Sequence, residues 1–214
     1  MLDFPILNIK ERIPLCGGYI IKLMQAKDAG ALVTNEFAHP SRNVRALGIQ
    51  PGMKVADFGS GSGAYVLAIA EVLCGSGLVY AVDVQRDLLR RTKNETTKRG
   101  YKTVEVLWCD LESAGGSKLA DGSLDLVLIS NLLFQITDKK IVIAEAWRIL
   151  RPNGRLAIID WSDSTPDGGS RMGPRKQDVV RKEKALALAV ESGFELAQEF
   201  SAGAHHYGLI LKKK

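Results

Sequence analysis

Short apolar runs alternate along the chain with longer segments in which apolar residues recur every three or four positions. The apolar runs predict strands at 54–58, 78–82, 104–108, 124–129, 155–160, 194–200 and 207–212. The longer segments predict helices at 64–73, 86–98, 138–150 and 177–192. Such alternation predicts a parallel sheet whose strands are linked by crossover helices. The last two strands are separated only by a short glycine-containing link, so they predict an antiparallel hairpin.

The first fifty residues lie outside this alternation. Their pattern predicts helices at Gly18–Leu32 and Ser41–Leu47. We expect them to form a helical cap over the sheet. The chain is then a single domain over 1–214, with a cap segment at 1–50 and an α/β core at 51–214, a size that one domain accommodates.

A glycine-rich turn follows the first predicted strand, in the sequence VADFGSGSGA from Val55 to Ala64. Glycine allows positive φ angles and a close approach of the backbone to a ligand. The spacing Gly59-x-Gly61-x-x-Ala64 also satisfies the dinucleotide fingerprint G-x-G-x-x-G/A. The turn by itself therefore predicts a nucleotide or nucleoside ligand without choosing between them.

Asp57, two residues before the first glycine, separates the two readings. A dinucleotide places its pyrophosphate over such a turn, and a carboxylate at about 4 Å would repel it by about 1 kcal/mol or more. S-adenosylmethionine carries an ammonium and a sulfonium instead of a phosphate, so a nearby carboxylate attracts it. Asp57 therefore favours a cationic amino-acid nucleoside.

Polar residues also follow the next three predicted strands. Asp83 ends the second strand, where an acid can accept hydrogen bonds from both ribose hydroxyls. Asp110 ends the third, where it can accept from the adenine amine, and Ser130 and Asn131 end the fourth. Because ligands bind at the carboxyl ends of strands in open α/β sheets, these residues predict one site. The alternative for Asp83 and Asp110 is that each simply caps the helix that follows it.

The chain resembles the class I S-adenosylmethionine-dependent methyltransferases. The motifs that carry the resemblance are Asp57-x-Gly59-x-Gly61-x-Gly63, Val82-Asp83, Cys109-Asp110, Asp125-Leu-Val127 and Leu150-Arg-Pro152-Asn-Gly154. The line LRPNGRLAIID and the closing His206-Tyr207-Gly-Leu-Ile are similar to the small-molecule branch, which includes quinone-biosynthesis and arsenite methyltransferases. The resemblance covers roughly residues 40–214.

This resemblance implies a fold, a cofactor and a set of contacts. The implied fold is a Rossmann-like three-layer α/β sandwich with strand order 3-2-1-4-5-7-6 and an antiparallel seventh strand. The implied cofactor is S-adenosylmethionine, with S-adenosylhomocysteine as product. Asp57 and Gly59 would lie near the methionine moiety, Asp83 near the ribose and Asp110 near adenine. The expected cofactor-binding residues are Asp57, Gly59, Ser60, Gly61, Gly63, Asp83, Val84, Asp110, Leu111, Ser130 and Asn131.

The chain also departs from some relatives. Its three cysteines are scattered and form no CxxC, so they supply neither the paired cysteines of the arsenite enzymes nor a zinc site. No Asp/Asn-Pro-Pro-aromatic stretch follows the fourth strand, which argues against methylation of base amino groups. Cytosine-5 enzymes need a nucleophilic cysteine, and Cys109 lies at the adenine position instead.

Methyl transfer from a sulfonium is an in-line displacement that chiefly requires positioning and exclusion of water. No metal site is expected. A general base helps only if the acceptor loses a proton, and the candidates are His39, Asp160, His205 and His206. Each has a structural alternative, such as a turn at His39-Pro40 or hairpin closure at His205-His206.

The distribution of charge along the sequence does not determine which molecule accepts the methyl group. The net charge is +5, with seven basic residues between Arg86 and Lys102 and six between Arg171 and Lys184. These segments are either solvated helix faces or a surface for nucleic acid or acidic membrane. Charged residues interrupt every apolar run near the start of the chain, so we expect neither a signal peptide nor a membrane span and expect a cytoplasmic protein.

The sequence therefore predicts a methyltransferase that acts on a small-molecule acceptor. The alternatives are an RNA or protein methyltransferase, a non-catalytic S-adenosylmethionine-binding module, and a nicotinamide dehydrogenase. The oligomeric state and the atom that receives the methyl group are left open.

Overall fold

The computed structural model describes residues 38–163 and 173–214, which fall in one compact unit, Val33–Lys214. Its strands are β1 (Lys54–Phe58), β2 (Leu78–Asp83), β3 (Val104–Trp108), β4 (Leu124–Ser130), β5 (Leu150–Trp161), β6 (Phe194–Gly203) and β7 (His206–Lys213). Its α-helices are α1 (Pro40–Ala46), α2 (Ala64–Leu73), α3 (Arg86–Lys98), α4 (Lys139–Ile149) and α5 (Lys182–Glu191).

The strands form one sheet in the order β3-β2-β1-β4-β5-β7-β6. Neighbours from β3 to β5 are parallel, and β7 pairs antiparallel with both β5 and β6. The predicted strand order and antiparallel seventh strand are therefore confirmed. The carboxyl ends of β1 to β6 and the start of β7 meet along one side of the sheet, called here the carboxyl edge.

Successive residues of the central strands alternate between two apolar layers. Ala56, Phe58 and Val127 pack with residues of α4 and α5 on one face of the sheet. Val55 and Leu126 pack with residues of α1, α2 and α3 on the other. A strand covered on both faces reads as a continuous apolar run. The predicted three-layer, Rossmann-like sandwich is confirmed.

Local signals set several helix ends. The Asp138 carboxylate accepts a hydrogen bond from the Lys140 backbone amide at 3.0 Å, so Asp138 is the N-cap of α4. Gly100 follows the last residues of α3 with a φ of +76°, where a glycine avoids the strain of a side chain. Asp138 thus fixes the start of α4, and Gly100 fixes the end of α3.

Strand β5 starts earlier than predicted. It begins at Leu150 instead of Arg155 because Leu150 already pairs with Leu124 on β4. The sequence Pro152-Asn153-Gly154, which is typical of a turn, lies within this strand, and Asn153 takes a φ of +64°. The strand therefore includes polar residues typical of a turn, because its pairing with β4 already begins at Leu150.

Helix α5 is shorter than the predicted 177–192. A 3₁₀ turn covers Lys176–Asp178, and Val179 is extended. The Tyr207 hydroxyl donates to the Val180 carbonyl at 3.0 Å, which keeps that carbonyl in a non-helical segment. The apolar spacing within 177–192 predicts that Ala189 and Val190 are both buried. Ala185 and Ala189 are buried, whereas Val190 is 51% exposed, so the prediction is wrong for Val190. Val190 turns away because it lies one position beyond the buried face.

The N-terminal prediction is covered only in part. Helix α1 overlaps the predicted Ser41–Leu47, and its Val44 packs with Val66 and Ile69 of α2. The predicted helix at Gly18–Leu32 lies outside the described residues, and the domain boundaries stay a prediction. Within 38–163 and 173–214, no helix has the length and apolar character needed to cross a bilayer. In the same ranges, no three acidic, histidine or cysteine side chains group as metal ligands.

Candidate functional site

The glycine-rich turn joins the end of β1 to α2 at the carboxyl edge. Gly59, Gly61 and Gly63 have φ angles of +69°, +51° and +79°, which side chains other than glycine rarely adopt. The backbone amides of Gly59 and Ser60 donate to the Val82 carbonyl at 2.8 and 3.0 Å. The turn is therefore fixed to the neighbouring strand β2.

The turn also packs tightly against side chains. A Cβ atom at Gly63 would lie 2.6 Å from the hydroxyl oxygen of Thr92, a buried residue of α3. A Cβ at Gly59 would lie 2.7 Å from a methyl group of Leu132. Glycine is thus required at these positions both by backbone angle and by space.

Asp57 is buried behind this turn and is 2% exposed. Its carboxyl makes no hydrogen bond to the described part of the chain. Burial and then the negative charge of Asp83 raise the pKa of Asp57 to about 8. A cation placed beside Asp57 would stabilise its ionised form, whereas the negative charge of a phosphate would raise the pKa of Asp57 further. The site therefore suits a positively charged ligand.

Asp83 lies at the end of β2 and holds two backbone segments. Its carboxylate accepts from the amides of Gly61 and Gln85, each at 2.8 Å. The contact with Gln85 closes a turn immediately before α3, and the N-cap of α3 carries no side-chain capping hydrogen bond, so the alternative that Asp83 caps this helix is wrong. Each carboxylate oxygen has a second lone-pair direction. Asp83 can therefore hold both backbone segments and still accept from a ribose hydroxyl.

A cavity of about 340 Å³ opens beside the ends of β2 and β3. The lining residues are Val84, Trp108, Cys109, Asp110, Ser113, Ala114, Gly115, Gly116 and Lys118. The Asp110 carboxylate accepts from the Glu112 amide at 2.9 Å within a turn. The next regular element is β4, so the alternative that Asp110 caps a following helix is wrong. Cys109 is buried and its thiol is free. Of the sequence-predicted residues, Val84 and Asp110 line this cavity, whereas Leu111 is buried beside it.

Trp108 is the largest of the cavity residues that sequence reasoning missed. Its indole N–H donates to the Val84 carbonyl at 3.0 Å, and the Arg86 guanidinium lies 3.5 Å from its ring centroid. The ring is nevertheless on a residue that is 51% exposed. The sequence signal that could have identified it is a large aromatic residue at the end of a strand, directly before Cys109-Asp110. The fixed ring offers a flat apolar wall for a planar ligand group.

Two buried hydroxyls at the carboxyl edge have no hydrogen-bond partner among the described residues. They belong to Ser60 in the glycine turn and Ser130 at the end of β4. Asn131 follows with a φ of +52° and donates its amide to the Ile159 carbonyl at 2.9 Å. Unsatisfied buried hydroxyls are costly unless a ligand or water completes them. The Ser60 and Ser130 hydroxyls lie at the same edge of the sheet as Asp57, so they are further candidates for ligand contact.

Asp160 is fully buried at the end of β5. Its two oxygens accept from the backbone amides of Leu133 and Trp161 at 3.0 and 2.8 Å. Burial raises the pKa of Asp160 to about 6, against the lowering effect of the backbone donors. These contacts hold the segment after β4 against β5, so a positioning role is built into Asp160.

His206 lies opposite Trp161 in the β5–β7 pairing. Its Nε2 is 3.0 Å from the Asn131 side-chain oxygen, and its ring centroid is 4.2 Å from that of Trp161. Burial, followed by the proximity of His205, lowers the pKa of His206 to about 4. The imidazole is therefore neutral near pH 7. Its Nδ1 is buried and has no partner in the described ranges.

His39 is the N-cap residue of α1. It lines a second cavity of about 150 Å³ together with Arg42 and residues 201–204. This cavity is bordered by the end of β6. The structure therefore places the three histidine candidates on the α1, β6 and β7 side of the edge, and the cofactor candidates at β1 to β4.

Part of the charge in the basic segments is paired with nearby acids. Four such ion pairs are Arg90–Asp87, Arg99–Glu95, Arg175–Asp178 and Lys182–Glu199. Pairs of this kind lower the local positive potential that a nucleic acid would meet. The basic segments therefore give limited support to a nucleic-acid surface.

The family model described as "Methyltransferase domain" matches residues 49–205. The chain belongs to the class I S-adenosylmethionine-dependent methyltransferases. The match spans the glycine turn, all the acids of the carboxyl edge and most of the sheet. S-adenosylmethionine is accordingly the cofactor of this methyltransferase, and the buried acid at the turn fits its positive charge.

Relatives of known name share about a third of their residues with the matched region. The ubiquinone/menaquinone biosynthesis C-methyltransferase UbiE of Cupriavidus taiwanensis is 30% identical over 54% of this chain and 46% of its own length. An uncharacterized 37.1 kDa protein in a Streptomyces fradiae transposon is 31% identical over 64% and 39%, respectively. The chain thus spans about half the length, or less, of these curated relatives.

Solved structures support the fold. A methyltransferase from Aquifex aeolicus matches with a TM-score of 0.73 and 24% identity, over 82% of this chain and 89% of that one. A type 11 methyltransferase from Sulfolobus solfataricus matches with a TM-score of 0.58 and 27% identity, over 75% and 83%. The cyclase SpnF also matches, with a TM-score of 0.67 and 16% identity, over 81% of each chain. Because a cyclase shares this fold, the reaction must be argued from the site.

Proposed function

We propose that this methyltransferase transfers a methyl group from S-adenosylmethionine to a small-molecule acceptor by in-line displacement. The observation that carries the proposal is Asp57, whose carboxyl is buried behind a glycine turn at the carboxyl edge and has no hydrogen-bond partner among the described residues. Such a group disfavours a phosphate and favours an ammonium or sulfonium. The same edge provides groups suited to a ribose and an adenine.

The residues proposed to hold the cofactor follow the strands in order. Asp57 and the glycine turn would hold the amino-acid end, and Asp83 would accept from the ribose hydroxyls. Asp110 and the wall of Trp108 would hold adenine in the cavity of about 340 Å³. The remaining members of the proposed set are Ser60, Val84, Leu111, Ser130 and Asn131.

When bound, the cofactor supplies an electrophilic methyl group on a sulfonium. The chain contributes fixed geometry, because its turn, its strand ends and Trp108 are all tied by backbone hydrogen bonds or packing. The neutral imidazole of His206 is proposed to accept the proton if the acceptor loses one. Asp160 is proposed to act by fixing the β4–β5 edge, since backbone amides engage both of its oxygens.

The proposed acceptor is a quinone-like or other aromatic small molecule. Several relatives carry names that refer to quinones, namely the UbiE proteins and the demethylmenaquinone methyltransferase of Anoxybacillus flavithermus. The sequence also lacks the base-methylation motif after β4. An RNA acceptor is the second candidate, and only the unpaired part of the basic segments favours it.

Radiolabelled methyl transfer tests this proposal. The purified chain is incubated with labelled S-adenosylmethionine and, separately, with demethylated quinone precursors, total RNA and a protein extract. We expect label in the organic-soluble quinone fraction, and a strong reduction in that label for Asp57→Asn. Label confined to RNA or protein would contradict the small-molecule proposal, and no transfer with no cofactor binding would contradict the function as a whole.

A further inference from the structure

Tyr65 lies on the first turn of α2, two residues after Gly63, and carries a polar hydroxyl. Its ring is buried, with 7% of the residue exposed. The side-chain amide of Asn43 on α1 donates to the Tyr65 hydroxyl oxygen at 3.0 Å. The same amide nitrogen donates to the Ala202 carbonyl near the end of β6 at 2.9 Å. Asn43 is itself 3% exposed, so this is a buried and specific connection.

Two groups at the carboxyl edge neighbour the Tyr65 hydroxyl. Burial raises the pKa of Tyr65, the Asn43 amide and the Ser130 hydroxyl lower it, and the Asp57 carboxylate raises it. Ser130 and Asp57 are therefore close enough to act on the phenol. The Ser130 hydroxyl acts on the phenol without meeting the geometry of a direct hydrogen bond, because its buried oxygen has no such bond to any residue that the structure describes.

The hydrogen-bond inventory decides what Tyr65 can offer. A side-chain amide nitrogen has two N–H groups, and Asn43 directs one to Ala202 and one to Tyr65. The Tyr65 oxygen therefore acts as an acceptor toward Asn43, which leaves its own O–H as a donor. Two hydroxyl donors, on Tyr65 and Ser130, then lie beside one acid, Asp57.

This combination matches a zwitterionic α-amino acid. An ammonium pairs with a carboxylate, and a carboxylate accepts strong charge-assisted hydrogen bonds from hydroxyls. We propose that the Tyr65 hydroxyl, oriented by Asn43, donates to the α-carboxylate of the bound cofactor. Asn43 is then a positioning residue, and it connects the amino-acid end of the site to the end of β6. The proposal rests on the proposed function, because it assumes that the cofactor's amino-acid end lies at Asp57.

Two ligands separate the ends of the site. S-adenosylhomocysteine carries the α-carboxylate, whereas 5′-methylthioadenosine keeps the nucleoside and sulfur but lacks the amino-acid group. Calorimetric titration of Tyr65→Phe should show at least a tenfold loss of affinity for S-adenosylhomocysteine, since hydrogen bonds to charged groups are of that strength. Affinity for 5′-methylthioadenosine should change less than twofold. The matched control is Tyr80→Phe, on a partly buried tyrosine that packs on the other face of the sheet.

Asn43→Asp tests the positioning role. An aspartate at this position accepts from the Tyr65 hydroxyl instead of donating to it, which removes the donor from the ligand. We expect the same selective loss for S-adenosylhomocysteine as in Tyr65→Phe, and no further loss when the two changes are combined. Circular dichroism and thermal unfolding establish which variants fold, and Tyr65→Phe alone tests the proposal if Asn43→Asp does not.

The outcomes are distinguishable. Unchanged binding of S-adenosylhomocysteine by Tyr65→Phe, or equal losses for both ligands, would overturn the role assigned to Tyr65. Additive losses in the double variant would overturn the positioning role of Asn43. Failure of the unmodified protein to bind either ligand would instead contradict the proposed function.

Discussion

Binding of the cofactor should depend on pH through the buried carboxyl of Asp57. Burial and the charge of Asp83 raise its pKa to about 8, so at pH 7 roughly nine in ten ligand-free molecules carry it protonated. A positively charged ligand favours the carboxylate over the carboxylic acid. Binding below pH 8 must therefore release a proton from Asp57.

The size of the effect follows from that pKa. Each pH unit below 8 adds about 1.4 kcal/mol, or a factor of about ten in Kd, to the cost of deprotonation. S-adenosylmethionine should therefore bind about fifty- to a hundredfold more weakly at pH 6 than at pH 8.5. Close to one proton per site should be released at pH 6, and the number should fall toward zero above pH 8.

Isothermal titration calorimetry in buffers of different ionisation enthalpy measures both quantities. Asp57→Asn should bind with little dependence on pH and about 1–3 kcal/mol more weakly at pH 8.5, because a charged partner is lost. Asp87→Asn, which changes a carboxylate that is 79% exposed on α3, should behave as the unmodified protein. The ligand's own amino group titrates alike in all three proteins, so differences between them report Asp57.

The reasoning is refuted if the unmodified protein and Asp57→Asn show the same slope of Kd against pH and release the same number of protons. That result would mean that the carboxyl at position 57 is already ionised without ligand, or that it does not face the cation.

Three further changes test the packing and polar contacts of the site. Gly63→Ala should lower the free energy of unfolding by about 2–4 kcal/mol, because positive φ and a clash with a buried threonine combine; Gly75→Ala, with similar φ and open space, should cost about 1 kcal/mol. Chemical denaturation measures both, and equal losses would contradict the packing argument. Glu145→Ala should lower the free energy of unfolding by about 2–4 kcal/mol, because the buried Glu145 carboxylate pairs with Arg148 and accepts from the amide of Ser117. Glu191→Ala, which removes an exposed ion pair with Lys140, should lower it by under about 1 kcal/mol. Asp83→Asn should weaken S-adenosylhomocysteine binding by about 1–3 kcal/mol in calorimetry, and unchanged affinity would argue against a ribose contact.

The core of the fold could be predicted from local patterns. The strand at 54–58 and the helices at 64–73 and 86–98 have the predicted bounds, because apolar periodicity, a glycine turn and a C-terminal glycine all agree there. The family resemblance supplied the strand order, which periodicity alone does not determine.

Long-range contacts account for what the sequence did not show. Strand β5 begins at Leu150 because of its partner on β4, and α5 loses its first turn to a contact with Tyr207. Tyr65 and Asn43 are 22 positions apart, and neither belongs to a local motif. The raised pKa of Asp57 likewise depends on burial by the whole sheet, which a single strand does not reveal.

The central claim is that the carboxyl edge holds a cationic nucleoside beside Asp57 and not a pyrophosphate. A crystal structure grown with equal concentrations of S-adenosylhomocysteine and NAD tests it most directly. The account predicts density for S-adenosylhomocysteine, with its amino-acid end beside Asp57, its ribose at Asp83 and its adenine beside Trp108 and Asp110. Density for a pyrophosphate over Gly59–Gly63 would contradict it.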